Sequence, residues 1–512
     1  MTLHRTALFL AAAQAVQSAG LQFKDGDGGP LPARLESLAA HFSDINFSLH
    51  SEDARTAIAA EIVQWANKHD HPVFYASVYP PDANGDVTVL LTDGITGTVS
   101  VEGGAHLSAE RVLKSLRVKS GAPVNSRELQ EELDWLQRNP FHKTSLAASP
   151  GATAAIADIT FSLSNDLPVS FSFAYDNLGV PPLGETRYRS VLQWGNFMGL
   201  DQQMAVQYIT GNDPGAYQAL AGEWIIPLPW RHEIRFSGAW AGTGVSSDFE
   251  SASLATDGQL WAAALRYVVP VRLTRNQTAD IFAGFDYRRF DTDVTFGGDA
   301  LFANAVEAGA FVLGINWKRL AGLKADYVSA EVSWSPGGLF HAATDDAYQR
   351  INPDADASYA ILRGSWQSRR PLGEDWQQWN KAGVQLASGP LLPSEDFSIA
   401  GASTVRGYSE RSVRGKHGAF LSSETVTPAL PLPRAWAQQG VAWRISAFAD
   451  AGWASPSYHA PDAWLAAAGI GLRARAGDSF SLSCDVAWPL REPSGSAAAG
   501  GPRVHLSAQL SF

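Results

Sequence analysis

Asp396-Phe397-Ser398-Ile399-Ala400-Gly401-Ala402-Ser403-Thr404-Val405-Arg406-Gly407-Tyr408 lies between two segments of strand-like alternation, where a connecting loop is expected to be polar and variable. Arg406 carries a permanent charge on a planar fork suited to bidentate pairing with a carboxylate. Gly407 allows a turn that a side chain would obstruct. Tyr408 adds a flat apolar body with a polar tip. A surface loop could hold Arg-Gly-Tyr by chance, so the meaning of the stretch depends on the segments around it.

Those segments alternate. Val169, Phe171, Phe173 and Tyr175 interleave with Ser170, Ser172, Ala174 and Asp176. Ile234, Phe236 and Trp240 interleave with Glu233, Arg235 and Ser237. Phe480, Leu482, Cys484, Val486 and Trp488 alternate with Ser479, Ser481, Ser483 and Asp485. In the last segment Val504, Leu506, Ala508, Leu510 and Phe512 alternate with Arg503, His505, Ser507, Gln509 and Ser511. A period of two gives a strand one apolar and one polar face. In a membrane one face meets lipid and the other a wet interior, and the sheet must close so that no edge is left unpaired in hydrocarbon.

Composition agrees. Charged residues are 18% of the 512, below the roughly 25% of an average soluble domain, and there are 17 tryptophans. After the N-terminus no apolar run reaches the roughly 18 residues of a membrane helix. A transmembrane β-barrel accounts for all three features, and a large soluble β-protein is the alternative. The net charge of −12 argues against a nucleic-acid partner. The single cysteine, Cys484, excludes an intramolecular disulfide and a cysteine zinc site.

The N-terminus reads as a signal peptide over about residues 1–19: Arg5, the apolar Ala7 to Ala13, and small residues at Ala13-Gln14-Ala15. Lys24-Asp25-Gly26-Asp27-Gly28-Gly29-Pro30 reads as a linker, so residues 20–42 are expected to be a linker with a short helix over Pro32 to Phe42. A first α+β module is expected over 43–95. It has a strand at Ile45 to Leu49, a helix with Ala54, Ile58, Ile62 and Trp65 on one face, and strands at Val73 to Tyr79 and Val87 to Leu91. A second is expected over 96–166, with a strand at Gly97 to Val101 and a helix at Ala109 to Arg117. Its second helix is capped by Asn125 with Glu128, and strands follow near Lys143 to Ala148 and Ile156 to Leu163. Residues 167–512 are left for the barrel.

Val405-Arg406-Gly407-Tyr408 resembles the loop motif of the two-partner secretion outer-membrane transporters (TpsB proteins, ShlB/FhaC/HecB-like) and of relatives that insert outer-membrane proteins. Asp176-Asn177-Leu178-Gly179 resembles that family's Asp-Asn-x-Gly, and Trp194-Gly195-Asn196 with Gly199-Leu200-Asp201 extends the likeness. Gln137-Arg138-Asn139-Pro140-Phe141 and Ser149-Pro150-Gly151 are similar to marks of the POTRA domain nearest the barrel, and Phe448-Ala449-Asp450 to a Phe-x-Asp strand motif. Ala400 and Ala402 depart from the usual Gly-Gly before the loop. The match runs over about 95–512 and only loosely over the first module.

The resemblance implies α+β periplasmic POTRA modules followed by an antiparallel barrel of 16 strands, where length alone admits about 14 to 18. It implies that the loop folds back into the barrel and that Arg406 meets Asp450 on the inner wall. Alternation independently turns Ser446, Phe448 and Asp450 away from lipid. A pairing of Arg406 with Glu410 is the alternative. The helix near Pro32 to Phe42 would be a pore plug or the first element of the next module.

The implied function is outer-membrane translocation of an unfolded partner exoprotein of haemolysin or adhesin type, captured by the POTRA modules and threaded through the lumen. The alternatives are an insertase for outer-membrane proteins and a passive porin-like barrel. The implied partners are that exoprotein, outer-membrane lipid, and the barrel assembly machinery reading the last strand at Phe512. No catalytic constellation, metal site or cofactor motif is expected. His69 and His71 around Asp70 read as a helix-end turn, and Gly469-Ile470-Gly471 lies in a strand pattern rather than opening a helix.

Overall fold

The computed structural model describes residues 21–43, 51–83, 86–153, 155–249, 252–274, 276–296, 299–373, 375–457, 461–492 and 501–512. The expected signal peptide and the strand at Ile45 to Leu49 lie outside them. The chain divides into two compact units, one of residues 1–138 and 142–166, the other of 139–141 and 167–512. Among the described residues no helix is long and apolar enough to cross a membrane.

The first unit contains two sheets of one topology. In the first, Leu21–Asp25 runs parallel to the central strand Val87–Asp93, and Phe74–Val78 lies antiparallel on its other side. Helices Glu36–Ser43 and Glu52–Lys68 cover it. Leu35, Leu38, Phe42, Ile58, Ile62 and Leu91 form its core. Ser51 caps the longer helix by accepting from the Ala54 N–H (3.2 Å). This corrects the linker expected over residues 20–42. The apolar pair Leu21 and Phe23 is too short to show periodicity beside the Gly/Asp run, yet both side chains pack on the core. The helix over Pro32 to Phe42 spends its apolar face inside the module and is the first helix of that module rather than a plug.

In the second sheet Ile95–Gly103 runs parallel to the central Ile156–Leu163, and Thr144–Pro150 pairs antiparallel on the far side. Asn125 caps the helix Ser126–Leu136, accepting from the N–H groups of Arg127 (2.9 Å) and Glu128 (3.2 Å). Leu129 and Leu136 then reach the core around Ile159 and Phe161. His69 bonds the Trp65 carbonyl (2.8 Å), and His71 contacts Asp93 (3.0 Å).

The second unit is a closed antiparallel barrel of sixteen strands among the described residues. Its first strand, Val169–Asp176, pairs with its last, Arg503–Ser511, from Ser172↔Ser511 to Asp176↔Ser507. Phe171 and Phe512 exchange backbone bonds (3.1 and 2.8 Å) just beyond that ladder. Alternation sorts the faces. Phe171, Trp194, Leu220, Phe236, Trp261, Leu421, Ile445, Ile470 and Val504 are exposed on the outer face, the face that meets lipid in a membrane barrel. Strands such as Ala252–Thr274 and Asp299–Ala321 run to 23 residues, well beyond the roughly 10 needed to cross the bilayer. The ladder therefore continues past the hydrocarbon, which the period alone does not limit.

Candidate functional site

The loop between strands Gln377–Ala387 and His417–Val426 is structured by its own backbone. Phe397–Ser398 pairs with Arg414–Gly415, and Ile399 N–H donates to Val413 O (3.0 Å). Gly401 N–H donates to Val405 O and Val405 N–H to Ile399 O, both at 3.1 Å. Ile399, Val405 and Tyr408 are almost fully buried against Ala454, Leu465 and Ala467 of the barrel wall. Those wall residues have the parity opposite to the lipid-facing set, so the loop lies inside the barrel.

Arg406 inserts its guanidinium into a row of inward-facing acids. Its Nε donates to Asp450 Oδ2 (2.8 Å) and its Nη2 to Asp450 Oδ1 (2.9 Å), the bidentate fork. Its backbone N–H reaches the same carboxylate (3.1 Å). Nη1 donates to Glu424 Oε2 (2.8 Å) and, at longer range, to Asp485 Oδ2 (3.5 Å), while Nη2 donates to Ser422 Oγ (3.2 Å). The guanidinium carbon lies 3.3 Å from the centre of the Phe448 ring, a cation–π contact. Arg473 closes the network, donating to Glu424 (2.7 Å) and Asp485 (2.6 Å). Two guanidinium groups thus face three carboxylates, and Lys381 lines the cavity beside them. Glu410, the alternative partner, instead accepts from the Ala402 N–H (2.6 Å).

The rest of the tetrad touches neighbouring strands. Val405 lies over Gly452. Gly407 has φ 89°, and a Cβ there would stand 3.2 Å from Pro489 N. Both conditions favour glycine. Its N–H donates to His505 Nε2 (3.0 Å). Tyr408 OH sits between the carbonyls of Ala466 (2.9 Å) and Arg491 (2.6 Å). Through these contacts the tetrad engages every strand from His417–Val426 to Arg503–Ser511. Of the residues around Ala400 and Ala402, only Gly401 has a positive φ, 129°, so alanines on either side are accommodated.

Phe448 faces Gly469, and Ser446 faces Gly471, in the adjoining strand. A Cβ at Gly469 would run into the Phe448 ring. The Gly-x-Gly of that strand is therefore the space in which the aromatic floor under Arg406 lies.

The other marked residues lie elsewhere. Asp176 accepts from Arg187 Nε (2.8 Å) and from Leu178 N–H (3.1 Å). Asn177 continues the ladder between first and last strands with its side chain. Its Nδ2 donates to Val504 O (2.8 Å) and its Oδ1 accepts from Leu506 N–H (2.7 Å). Gly179 N–H donates to Glu185 O (2.7 Å), tightening the turn. Asn139, with Pro140 and Phe141, belongs to the barrel unit. It donates to Gly195 O (2.7 Å) and Asp201 (2.9 Å) and accepts from Phe141 N–H (3.1 Å). Pro150 and Gly151 belong to the first unit, where Gly151 N–H bonds Ile156 O (2.9 Å) in a hairpin turn.

Sequence reading missed four contributors: Glu424, Asp485, Arg473 and His505. Alternation placed Asp485 and His505 on polar faces, but nothing local shows that those faces converge on one arginine.

Among the described residues the chain forms two small α+β modules and a closed sixteen-stranded barrel, with a loop packed inside the barrel through a buried ion network. The chain belongs to the haemolysin secretion/activation protein ShlB/FhaC/HecB family, whose model matches residues 157–474. The Outer membrane transporter CdiB of Dickeya dadantii is 23% identical over 329 residues, 62% of this chain and 56% of that protein. CdiB of Escherichia coli strain 536 is 21% identical over 424 residues, 80% of this chain and 68% of that protein. The solved structure of CdiB from Escherichia coli superposes with a TM-score of 0.79 at 18% identity, covering 100% of this chain and 93% of that one. That likeness is one of fold. The barrel lies in the outer membrane and the modules in the periplasm.

Proposed function

We propose that this protein exports an unfolded partner exoprotein of haemolysin or adhesin type across the outer membrane by two-partner secretion. The observation that carries this reading is the buried Arg406 network, which fixes a loop inside a barrel of a family of outer-membrane transporters. A passive pore has no need of an internal element held by so many charge-assisted bonds.

In this reading the modules receive the client. Phe74–Val78 and Thr144–Pro150 stand at the margins of their sheets, and a strand margin offers N–H and C=O groups to an extended segment of another chain. The client then passes through the lumen, and the loop bearing Val405, Arg406, Gly407 and Tyr408 holds the barrel in a transport-competent shape. Phe448 and Asp450 serve as its seat. Asp176, Asn177 and Gly179 hold the joint of first and last strands, and Asn139, Pro140, Pro150 and Gly151 shape the chain around the second module. The last strand, ending at Phe512, is the segment that the barrel assembly machinery would read before release into outer-membrane lipid. The protein acts as a transporter and not as an enzyme, and client folding outside the cell would supply the driving force.

The test is deletion of residues 21–138 and 142–163, with the signal and the barrel unit, including Asn139 to Phe141, retained. Barrel assembly is checked by heat-modifiable electrophoretic mobility, and secretion is followed for a co-expressed candidate exoprotein of haemolysin or adhesin type. Export is expected to stop while the barrel still assembles. Continued export would remove the capture role.

A further inference from the structure

The loop that carries Arg406 has a second charged contact, of opposite sign, on a separate arc of the wall. Glu395 is 3% exposed. Its carboxylate pairs with Arg363 Nη2 (2.8 Å) and with Arg288 Nη1. Gln385 reinforces the contact, accepting from Arg363 Nε and donating to the Glu395 carbonyl, both at 2.8 Å. The arginines have partners of their own: Asp286 lies 2.6 Å from Arg266 and 3.9 Å from Arg288, and Glu331 lies 3.7 Å from Arg363. Three carboxylates meet three guanidinium groups. The space left among them is only about 10 Å³, so the contact is packed rather than bathed.

Position in the ring gives this contact its meaning. Counting from Val169–Asp176, Arg288 (Gln277–Phe296) is on the seventh strand and Arg363 (Ser358–Pro371) on the tenth, while Glu424, Asp450 and Asp485 are on the twelfth, thirteenth and fifteenth. The two contacts occupy separate arcs of the ring. One end of the loop gives a cation to an acidic wall and the other gives an anion to a basic one.

We propose that Glu395 is a positioning residue, a second anchor that ties the loop to a separate arc of the wall, so that opening requires release at both contacts. With two anchors of opposite charge, any agent that frees the loop must satisfy a stranded cation set on one side and a stranded anion set on the other. A passing polypeptide that carries both signs meets that requirement, whereas a simple ion does not.

The inference rests on the loop's role in the proposed transporter, and it is tested without a client. Full-length protein is reconstituted in planar bilayers, and the fraction of time in large-conductance states is recorded, with heat-modifiable mobility confirming a folded barrel. Glu395→Gln is expected to raise that fraction at least about tenfold, the equivalent of about 1.4 kcal/mol. Glu395→Asp should fall between Gln and wild type. Arg363→Gln should act in the same direction, and the Glu395→Gln/Arg363→Gln pair should do less than the product of the two singles, because they share one contact. If Glu395→Gln does not fold, Arg363→Gln carries the test, since Glu395 then retains Arg288. A wild-type open fraction in a folded variant, or independent effects in the double, overturns the second anchor. Arg406→Ala is the control: if it too leaves conductance unchanged, the loop's role in the transporter falls with it.

Discussion

Arg406→Ala and Asp450→Asn remove opposite partners of the same fork, and the structure predicts unequal consequences. The site holds one more carboxylate than guanidinium. Arg406→Ala leaves Glu424, Asp450 and Asp485 with Arg473 as their remaining guanidinium. Asp450→Asn leaves two carboxylates facing two guanidinium groups. Arg406 also keeps Glu424, Ser422 and the Phe448 ring in that variant. Removing one partner of a buried pair costs about 3–5 kcal/mol, and Arg406 at 4% exposure lies toward that end rather than the wet one. The loop's docking equilibrium should therefore shift by roughly two to three and a half orders of magnitude in Arg406→Ala. In Asp450→Asn the shift should be smaller by at least about tenfold, because no uncompensated charge is left. The assay is trypsin cleavage in outer-membrane vesicles at the exposed loop residues Arg411 and Arg414, read against secretion. Rapid cleavage with failing export is expected for Arg406→Ala, and intermediate values for Asp450→Asn. Equal protection in the two variants would refute the charge argument, and normal export by Arg406→Ala would take the loop out of the mechanism.

Two further outcomes follow from single contacts. Asn177→Ala removes the side-chain bridge to Val504 and Leu506 at the short joint between first and last strands. It leaves a carbonyl and an N–H unmet, at about 1–3 kcal/mol, and should lower the temperature of the heat-modifiable mobility shift; an unchanged transition would show that the joint does not depend on it. Gly469→Val places a branched side chain where the Phe448 ring lies. It should lift the aromatic floor from under Arg406 and reproduce the protease sensitivity of Arg406→Ala in a barrel that still assembles, while wild-type protection would show that Phe448 is not part of the seat.

The barrel was legible because a period of two needs no knowledge of neighbours. Phe480 to Trp488 and Val504 to Phe512 declare their lipid faces residue by residue. The start of the helix Ser126–Leu136 was legible in its Asn125 cap. The opening strand Leu21–Asp25 was not, because its two apolar side chains give no period and Gly26 to Pro30 reads as a break.

By itself the sequence determined which way each strand residue points, and therefore that Asp450 and Asp485 face inward. It could not determine which inward residues meet. Arg406 finds Glu424, Asp450 and Asp485 at separations of 18, 44 and 79 residues along the chain, and Glu395 finds Arg288 across 107. Those meetings depend on closure of the ring and on the path of one loop through it. Alternation is a property of each strand alone, whereas convergence on a shared charge is a property of the closed barrel.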